Sequence, residues 1–164
     1  MSFFPILYIT LLITLLLLKK LRIQWRRFRI LHFSIHKIDQ MSGEAFEAYL
    51  YEQFVRLGFK VTTTNVSGDY GADLILQKKK LVIALQAKRY QGKIGVKAIQ
   101  EVLGSMAYYE ADKGLVVTNS TYTRNAEKLA EVNHVLLWDR DVLIRLIAGE
   151  NMSTYLSELL KNDF

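Results

Sequence analysis

The 164-residue chain contains no cysteine, a single proline and only three histidines. Without thiols there is no disulfide framework, no cysteine-based zinc site and no thiol nucleophile, so any bound metal must rest on oxygen or imidazole ligands. The histidines, His32, His36 and His134, are scattered along the chain, which argues against a histidine metal site. No glycine- or serine-rich linker, internal repeat or low-complexity stretch is present. The length suits one domain of ordinary size with a short appendage, and two full domains would not fit.

Charge is missing from the N-terminus. From Phe3 to Leu18 the sequence FFPILYITLLITLLLL carries none, and sixteen residues at about 1.5 Å each rise roughly 24 Å as a helix, against about 30 Å for a bilayer core. Met1 and Ser2 at one end and snorkelling Lys19 and Lys20 at the other would close the gap. Positive charge follows the apolar run instead of preceding it, which is the reverse of a cleaved signal peptide. The expectation is therefore a transmembrane helix over residues 1–20 and a basic juxtamembrane linker over 21–40, with Trp25 and Phe28 against lipid headgroups. The positive-inside rule then makes the chain a single-pass membrane protein with its remaining domain in the cytoplasm. The alternative is an apolar N-terminal helix that binds a partner.

The formal net charge of +6 is concentrated in the same segment, since residues 1–41 hold seven basic side chains and one acid while the rest balances. The high isoelectric point consequently says nothing about nucleic acid.

Beyond residue 41 the pattern is that of a mixed α/β fold. SGEAFEAYLYEQFVRLG repeats Phe46, Leu50, Phe54 and Leu57 at helical spacing and ends on Gly58, which predicts an amphipathic helix with a glycine cap. A short strand over 59–63, a turn at VSGDYG, and a hairpin of ADLILQ and LVIALQAK around Lys78–Lys80 follow. Helical and strand patterns then alternate, predicting the order α-β-β-β-α-β-α-β-α: a mixed sheet flanked by helices, with the later strands parallel. The domain extends over 41–150, and a last helix over 151–164 packs on it through Met152, Tyr155, Leu156, Leu159 and Leu160.

Chemistry concentrates at one end of the hairpin. With a side-chain period of two, Gln86 and Lys88 share a strand face about 7 Å apart, opposite to Leu81, Ile83, Leu85 and Ala87. Asp73 starts the partner strand at the end distant from the turn, so antiparallel pairing brings Asp73, Gln86 and Lys88 together beside SGDYGAD. An acid and nearby oxygens can hold a divalent cation that activates water for phosphodiester hydrolysis, and a lysine can steady charge developing on phosphorus. One Asp and one Lys taken alone would more often be a solvated strand end.

The runs SGEAFEAYLYEQFVRLGFKV, SGDYGADLIL and ALQAKRYQGKIGVKAIQEVLGSMAYYEADKGLVVTNSTYTRNAEKLA, in this order over about residues 41–148, resemble the catalytic domain of Mrr-type restriction endonucleases within the PD-(D/E)xK superfamily. The resemblance implies a restriction-endonuclease-like fold and Mg²⁺-dependent cutting of DNA, with Mn²⁺ as a substitute, directed at foreign or modified DNA. Residue by residue, it makes Asp73 the metal-binding aspartate, Gln86 the occupant of the usual Asp/Glu position, Lys88 the catalytic lysine and Glu47 an additional metal ligand. Glu44 and Asp69 are reserve candidates. Because Gln86 is neutral, the alternative function is a nuclease fold that binds or senses DNA without cutting it.

Between Asp73 and Glu101 the chain carries seven basic residues and no acid. Lys78–Lys80 lie at the far tip, which leaves Arg89, Lys93 and Lys97 as DNA contacts, with Gln100 assisting. Thr118, Asn119 and Ser120 are further candidates for phosphate contacts, although capping of the next helix would also employ one of them. Expected partners are DNA, membrane lipid through the N-terminal helix, and a second copy of the chain, since cutting both strands calls for two sites.

Overall fold

The computed structural model describes residues 4–64, 71–149 and 152–160, with the side chains of 4–9, 11, 23–33 and 153 left aside. The elements run α1 (Phe4–Asp39), α2 (Gly43–Arg56), β1 (Lys60–Thr63), β2 (Leu74–Lys78), β3 (Leu81–Lys88), α3 (Val96–Tyr108), β4 (Lys113–Thr118), α4 (Arg124–Val132), β5 (Leu136–Trp138), α5 (Arg140–Ile147) and α6 (Ser153–Leu160). This is the order read from the sequence. The five strands form one sheet in chain order. β1–β2 and β2–β3 are antiparallel, and β3–β4 and β4–β5 are parallel, each parallel pair joined by a helical crossover.

Local chemistry sets the element ends. Ser42 caps α2 by accepting the Ala45 N–H at 3.1 Å, which satisfies one of the orphan donors of the first turn. At the other end Gly58 takes φ +83°, and the Gly58 and Phe59 N–H groups bond back to the Val55 and Phe54 carbonyls. This left-handed closure suits glycine because it has no Cβ to clash.

The pleat divides β3 between two cores. Leu81, Ile83, Leu85 and Ala87 face a layer built by Phe46, Leu50 and Phe54 of α2 with residues of α1, α5 and α6. Ala84 faces a second, alanine-rich layer under α3 and α4, made with Ala72, Ala98, Ile99, Val102, Val116 and Ala126. Burial on both faces is what a central strand flanked by parallel crossovers requires.

The N-terminal reading needs correction. Among the described residues no helix is long and apolar enough to cross a membrane, which overturns the transmembrane helix expected over 1–20 and the single-pass membrane location, and removes the feature on which a lipid partner was expected. The apolar run is too short by itself, and α1 continues without a break through Lys19, Lys20 and Arg22 to Asp39. A spanning helix would end or expose its charges to water at that point. The side chains of Trp25 and Phe28 lie outside those described. The last turns of α1 belong to the folded body, because Ile35 and Ile38 are buried in the α2 layer.

Candidate active site

Asp73 stands one residue before β2, in register with Gln86 by extension of the Leu74–Leu85 pair. Its backbone N–H donates to the Leu85 carbonyl at 2.8 Å and its carbonyl accepts from Thr64 at 3.1 Å, so the hairpin ladder fixes its position. One carboxylate oxygen, Oδ2, accepts the Ala87 N–H at 2.6 Å and the Gln86 Nε2 at 2.5 Å. Gln86 is only 4% exposed. Its amide nitrogen is spent on Asp73, which leaves the amide oxygen as its acceptor end.

Two residues on, Lys88 emerges on the same face of β3 and meets α3. Its Nζ lies 2.7 Å from Glu101 Oε2, both side chains being about one-third exposed. At that distance the ammonium and the carboxylate form a charge-assisted pair that ties the end of β3 to α3. Lys97, one turn earlier on α3, stands 3.9 Å from the other Glu101 oxygen. Helix α3 comes this close because of Gly71, whose φ is +91° and where a Cβ would lie 2.3 Å from the Glu101 carbonyl oxygen. Lys88, Arg89, Lys93, Lys97 and Glu101 line a groove of about 250 Å³.

The remaining sequence candidates divide. Glu47 is half-buried on α2, whose apolar stripe packs in the layer on the other side of the sheet from Gln86. Glu44 is exposed one turn before it, and Asp69 and Gly68 lie outside the described residues. Lys93, Lys97 and Gln100 are exposed and Arg89 is half-buried, with Arg89 Nη1 3.4 Å from the Asp39 carbonyl. Thr118 is fully buried. Its hydroxyl donates to the Lys88 carbonyl at 2.7 Å and accepts the Ser120 N–H at 3.1 Å. Buried Asn119 accepts the Tyr90 N–H and donates to Asp39 Oδ1, each at 2.8 Å. Half-buried Ser120 uses its carbonyl to accept the Arg140 N–H at 2.9 Å. Thr118 and Asn119 thus tie the end of β3 to the end of β4, and the cap of α4 is Thr123.

Sequence reasoning missed two groups. Glu101 enters the sequence reading only as the end of the acid-free basic stretch, although its four-residue spacing from Lys97 places both on one helix face. Asp39 was counted merely as the one acid of a basic segment. It receives a forked pair of bonds from Arg140, at 2.7 and 2.8 Å. Those bonds hold its carboxyl below the usual carboxylate range against the opposing effect of burial. A contact across 101 residues leaves no local signal.

Comparison with known proteins accords with this geometry. Residues 38–147 match the sequence model of the Mrr_cat family, described as restriction endonuclease. The chain is 30% identical over 136 residues to the type IV methyl-directed restriction enzyme EcoKMrr of Escherichia coli (strain K12), covering 77% of this chain and 44% of that protein. It therefore spans less than half the length of that relative. Among solved structures, the DNA modification-dependent restriction endonuclease AspBHI superposes with a TM-score of 0.57 at 23% identity, over 74% of this chain and 35% of that one. The MspJI restriction endonuclease, solved with a 27-mer oligonucleotide, gives 0.52 at 16% identity, over 83% and 36%. At these identities the two structures speak for the fold. The family match, which takes in well over half of the residues, settles the relationship: the chain belongs to the Mrr catalytic-domain family of restriction endonucleases.

Proposed function

We propose that this domain is a divalent-metal-dependent DNA endonuclease acting in restriction of foreign or modified DNA. The observation that carries the reading is the convergence of Asp73, Gln86 and Lys88 at one end of the β2–β3 hairpin, beside a groove lined by basic side chains.

The donors suit a hard cation. Among the described residues there is no group of three or more His, Cys, Asp or Glu that would hold a metal. The proposed set is the Asp73 carboxylate and the Gln86 amide oxygen, with Glu47, whose helix packs in the layer on the other side of the sheet, kept as the additional ligand that the family resemblance implies. A sparse all-oxygen set of this kind fits Mg²⁺, or Mn²⁺ in its place, because Mg²⁺ keeps several of its own waters and uses one or two carboxylates. When bound, the ion polarises the phosphoryl oxygen and lowers the pKa of water. The rest falls to the chain. Asp73 is held by two donors and cannot swing away, and Gln86 presents an oxygen without adding a second charge. Lys88, positioned by its ion pair with Glu101, would turn its ammonium toward the phosphate as negative charge builds there. Arg89, Lys93 and Lys97 seat the flanking phosphates, with Gln100 on the same helix. The Arg89 Nε–H is buried and without a partner among the described residues, and a phosphate oxygen would satisfy it. Thr118, Asn119 and Ser120 act at one remove by fixing the Lys88–Tyr90 segment. Cutting both strands would use two copies, so we place a homodimer on duplex DNA.

The test is plasmid cleavage by the full chain with Mg²⁺, Mn²⁺ or EDTA, beside Asp73→Ala and Lys88→Ala. The full chain is needed because Ile35, Ile38 and Asp39 are built into the fold. Metal-dependent nicking or linearisation that both substitutions abolish is expected. DNA binding with no cutting of plain or modified plasmid would identify a DNA-binding module that has lost catalysis.

A further inference from the structure

A second cleft, of about 490 Å³, adjoins the catalytic groove, and its lining includes Asp39, Tyr90, Gln91, Asn119 and Arg140. Tyr90 is common to both clefts. We propose that this second cleft receives an unstacked nucleobase of the DNA strand next to the phosphate being cut, with Tyr90 as its stacking platform. The proposal rests on the nuclease reading and specifies how that site handles its substrate.

Three observations carry it. The Tyr90 side chain stands out although its backbone is anchored. The residue is 58% exposed, yet its N–H is bonded at 2.8 Å to the buried Asn119 side chain. Its ring packs over Gly92, where an added Cβ would come within 3.0 Å of the ring carbon Cε1. An aromatic face fixed at its base and open to solvent suits stacking, because little freedom is lost when a base covers it.

The two clefts also differ in charge. The catalytic groove carries Lys88, Arg89, Lys93 and Lys97 against Glu101. Among the described residues that line the second cleft the one carboxylate, Asp39, is matched by the forked Arg140 pair. A phosphate belongs in the first, whereas a neutral polar ring is accepted by the second.

The side chains around Tyr90, finally, can read a base edge. Gln40, Gln91 and Thr121 are exposed at the rim, with His36 beside them. Amides and hydroxyls both donate and accept, which is what base edges demand. The segment Lys88–Gln91 leads from the catalytic lysine into the cleft wall, so a strand whose phosphate sits at Lys88 has its neighbouring nucleotide beside Tyr90.

A base extruded from a duplex must first break its pair and stack, which costs least where it is already mispaired. The experiment measures binding of the full chain to short fluorescein-labelled duplexes, one fully paired and one with a single central mismatch. Fluorescence anisotropy is the readout, and Ca²⁺ replaces Mg²⁺ to prevent cutting. Wild type is expected to prefer the mismatched duplex by about tenfold, the scale of one stacked base. Tyr90→Ala should lose the preference and Tyr90→Phe should keep it. Equal affinity of wild type for both duplexes, or a preference that survives Tyr90→Ala, overturns the base cleft while leaving the nuclease reading intact. Failure to bind either duplex overturns both.

Discussion

The two layers that enclose the sheet are made of different material. On the α2 side the core is Phe46, Phe54, Phe59, Trp138 and a set of leucines, with the Phe54 and Trp138 rings stacked 5.3 Å apart. On the α3 side alanine is the commonest residue, with Ala72, Ala84, Ala98, Ala126 and Ala130 set among Ile94, Ile99 and three valines. Large side chains hold a helix away from the sheet, and small ones let it approach. Gly71 and Gly114 push the approach further, since a Cβ at Gly114 would lie 2.9 Å from Met106 Sδ of α3. The catalytic candidates Gln86 and Lys88 face this thin layer, where a carboxylate on α3 can reach a strand lysine. One layer supplies stability and the other supplies proximity.

The largest effect should come from breaking the thick layer. Phe54 is fully buried, and Phe54→Ala should cost about 3–5 kcal/mol by lost burial and the cavity left behind. Urea denaturation would read the loss, and cleavage per folded molecule should remain near wild type. A cleavage defect as large as the stability defect would remove the distinction between the layers.

Gly71→Ala attacks the thin layer where it is tightest. The new methyl meets the Glu101 carbonyl, and a non-glycine residue at φ +91° is strained as well. Together these should cost about 2–3 kcal/mol. In contrast to Phe54→Ala, cleavage should fall by more than about tenfold even where the protein stays folded, because α3 has to move and takes Glu101 with it. Equal cleavage by both variants at matched folded fraction would show that the approach of α3 does not matter to the site.

A smaller effect isolates the carboxylate. Glu101→Gln keeps the shape of α3 but removes the charge that draws Lys88 into place. Cleavage should drop by about tenfold, on the scale of one positioning interaction, with stability changed by less than about 1 kcal/mol because the pair is partly exposed. A large stability loss without a rate effect would assign Glu101 to the fold alone.

Much of this arrangement was legible in the sequence because it depends on local periodicity. The alternation along Leu81–Lys88 placed Gln86 and Lys88 on one face, and the hairpin brought Asp73 opposite them. The stripe Phe46, Leu50, Phe54 is buried as read, though Leu57 is only half-buried. What escaped depends on contacts distant in sequence. Thr118 and Asn119 have the chemistry of phosphate ligands, yet their hydroxyl and amide groups are consumed by Lys88, Tyr90 and Asp39. Lys78, assigned to a solvated turn, donates to the Leu57 carbonyl at 2.9 Å at the end of α2 and lies 4.9 Å above the Phe59 ring. The apolar N-terminal run invited a membrane reading because composition gives hydrophobicity without telling where a helix stops.

The smallest effect concerns the seam between the layers. Asp39 at the end of α1 and Arg140 at the start of α5 come from the thick side, and through Asn119 they steady the Tyr90 segment beside the thin side. Arg140 holds the Asp39 carboxyl below its ordinary range, so the pair stabilises the fold when the pH is above the unfolded value of about 3.9 and loses that contribution as pH falls through the lowered folded value. Asp39→Asn cannot titrate. Its deficit against wild type should be about 1 kcal/mol at neutral pH, after allowance for solvent screening of a pair that is about one-third exposed. The deficit should stay constant down to about pH 5 and shrink at lower pH. Urea midpoints of both proteins from neutral pH to about pH 3 test this. A deficit that persists unchanged at the acid end would mean that Asp39 works through its shape and hydrogen bonds and not through its charge, and the seam would then belong with the uncharged packing of the thick layer.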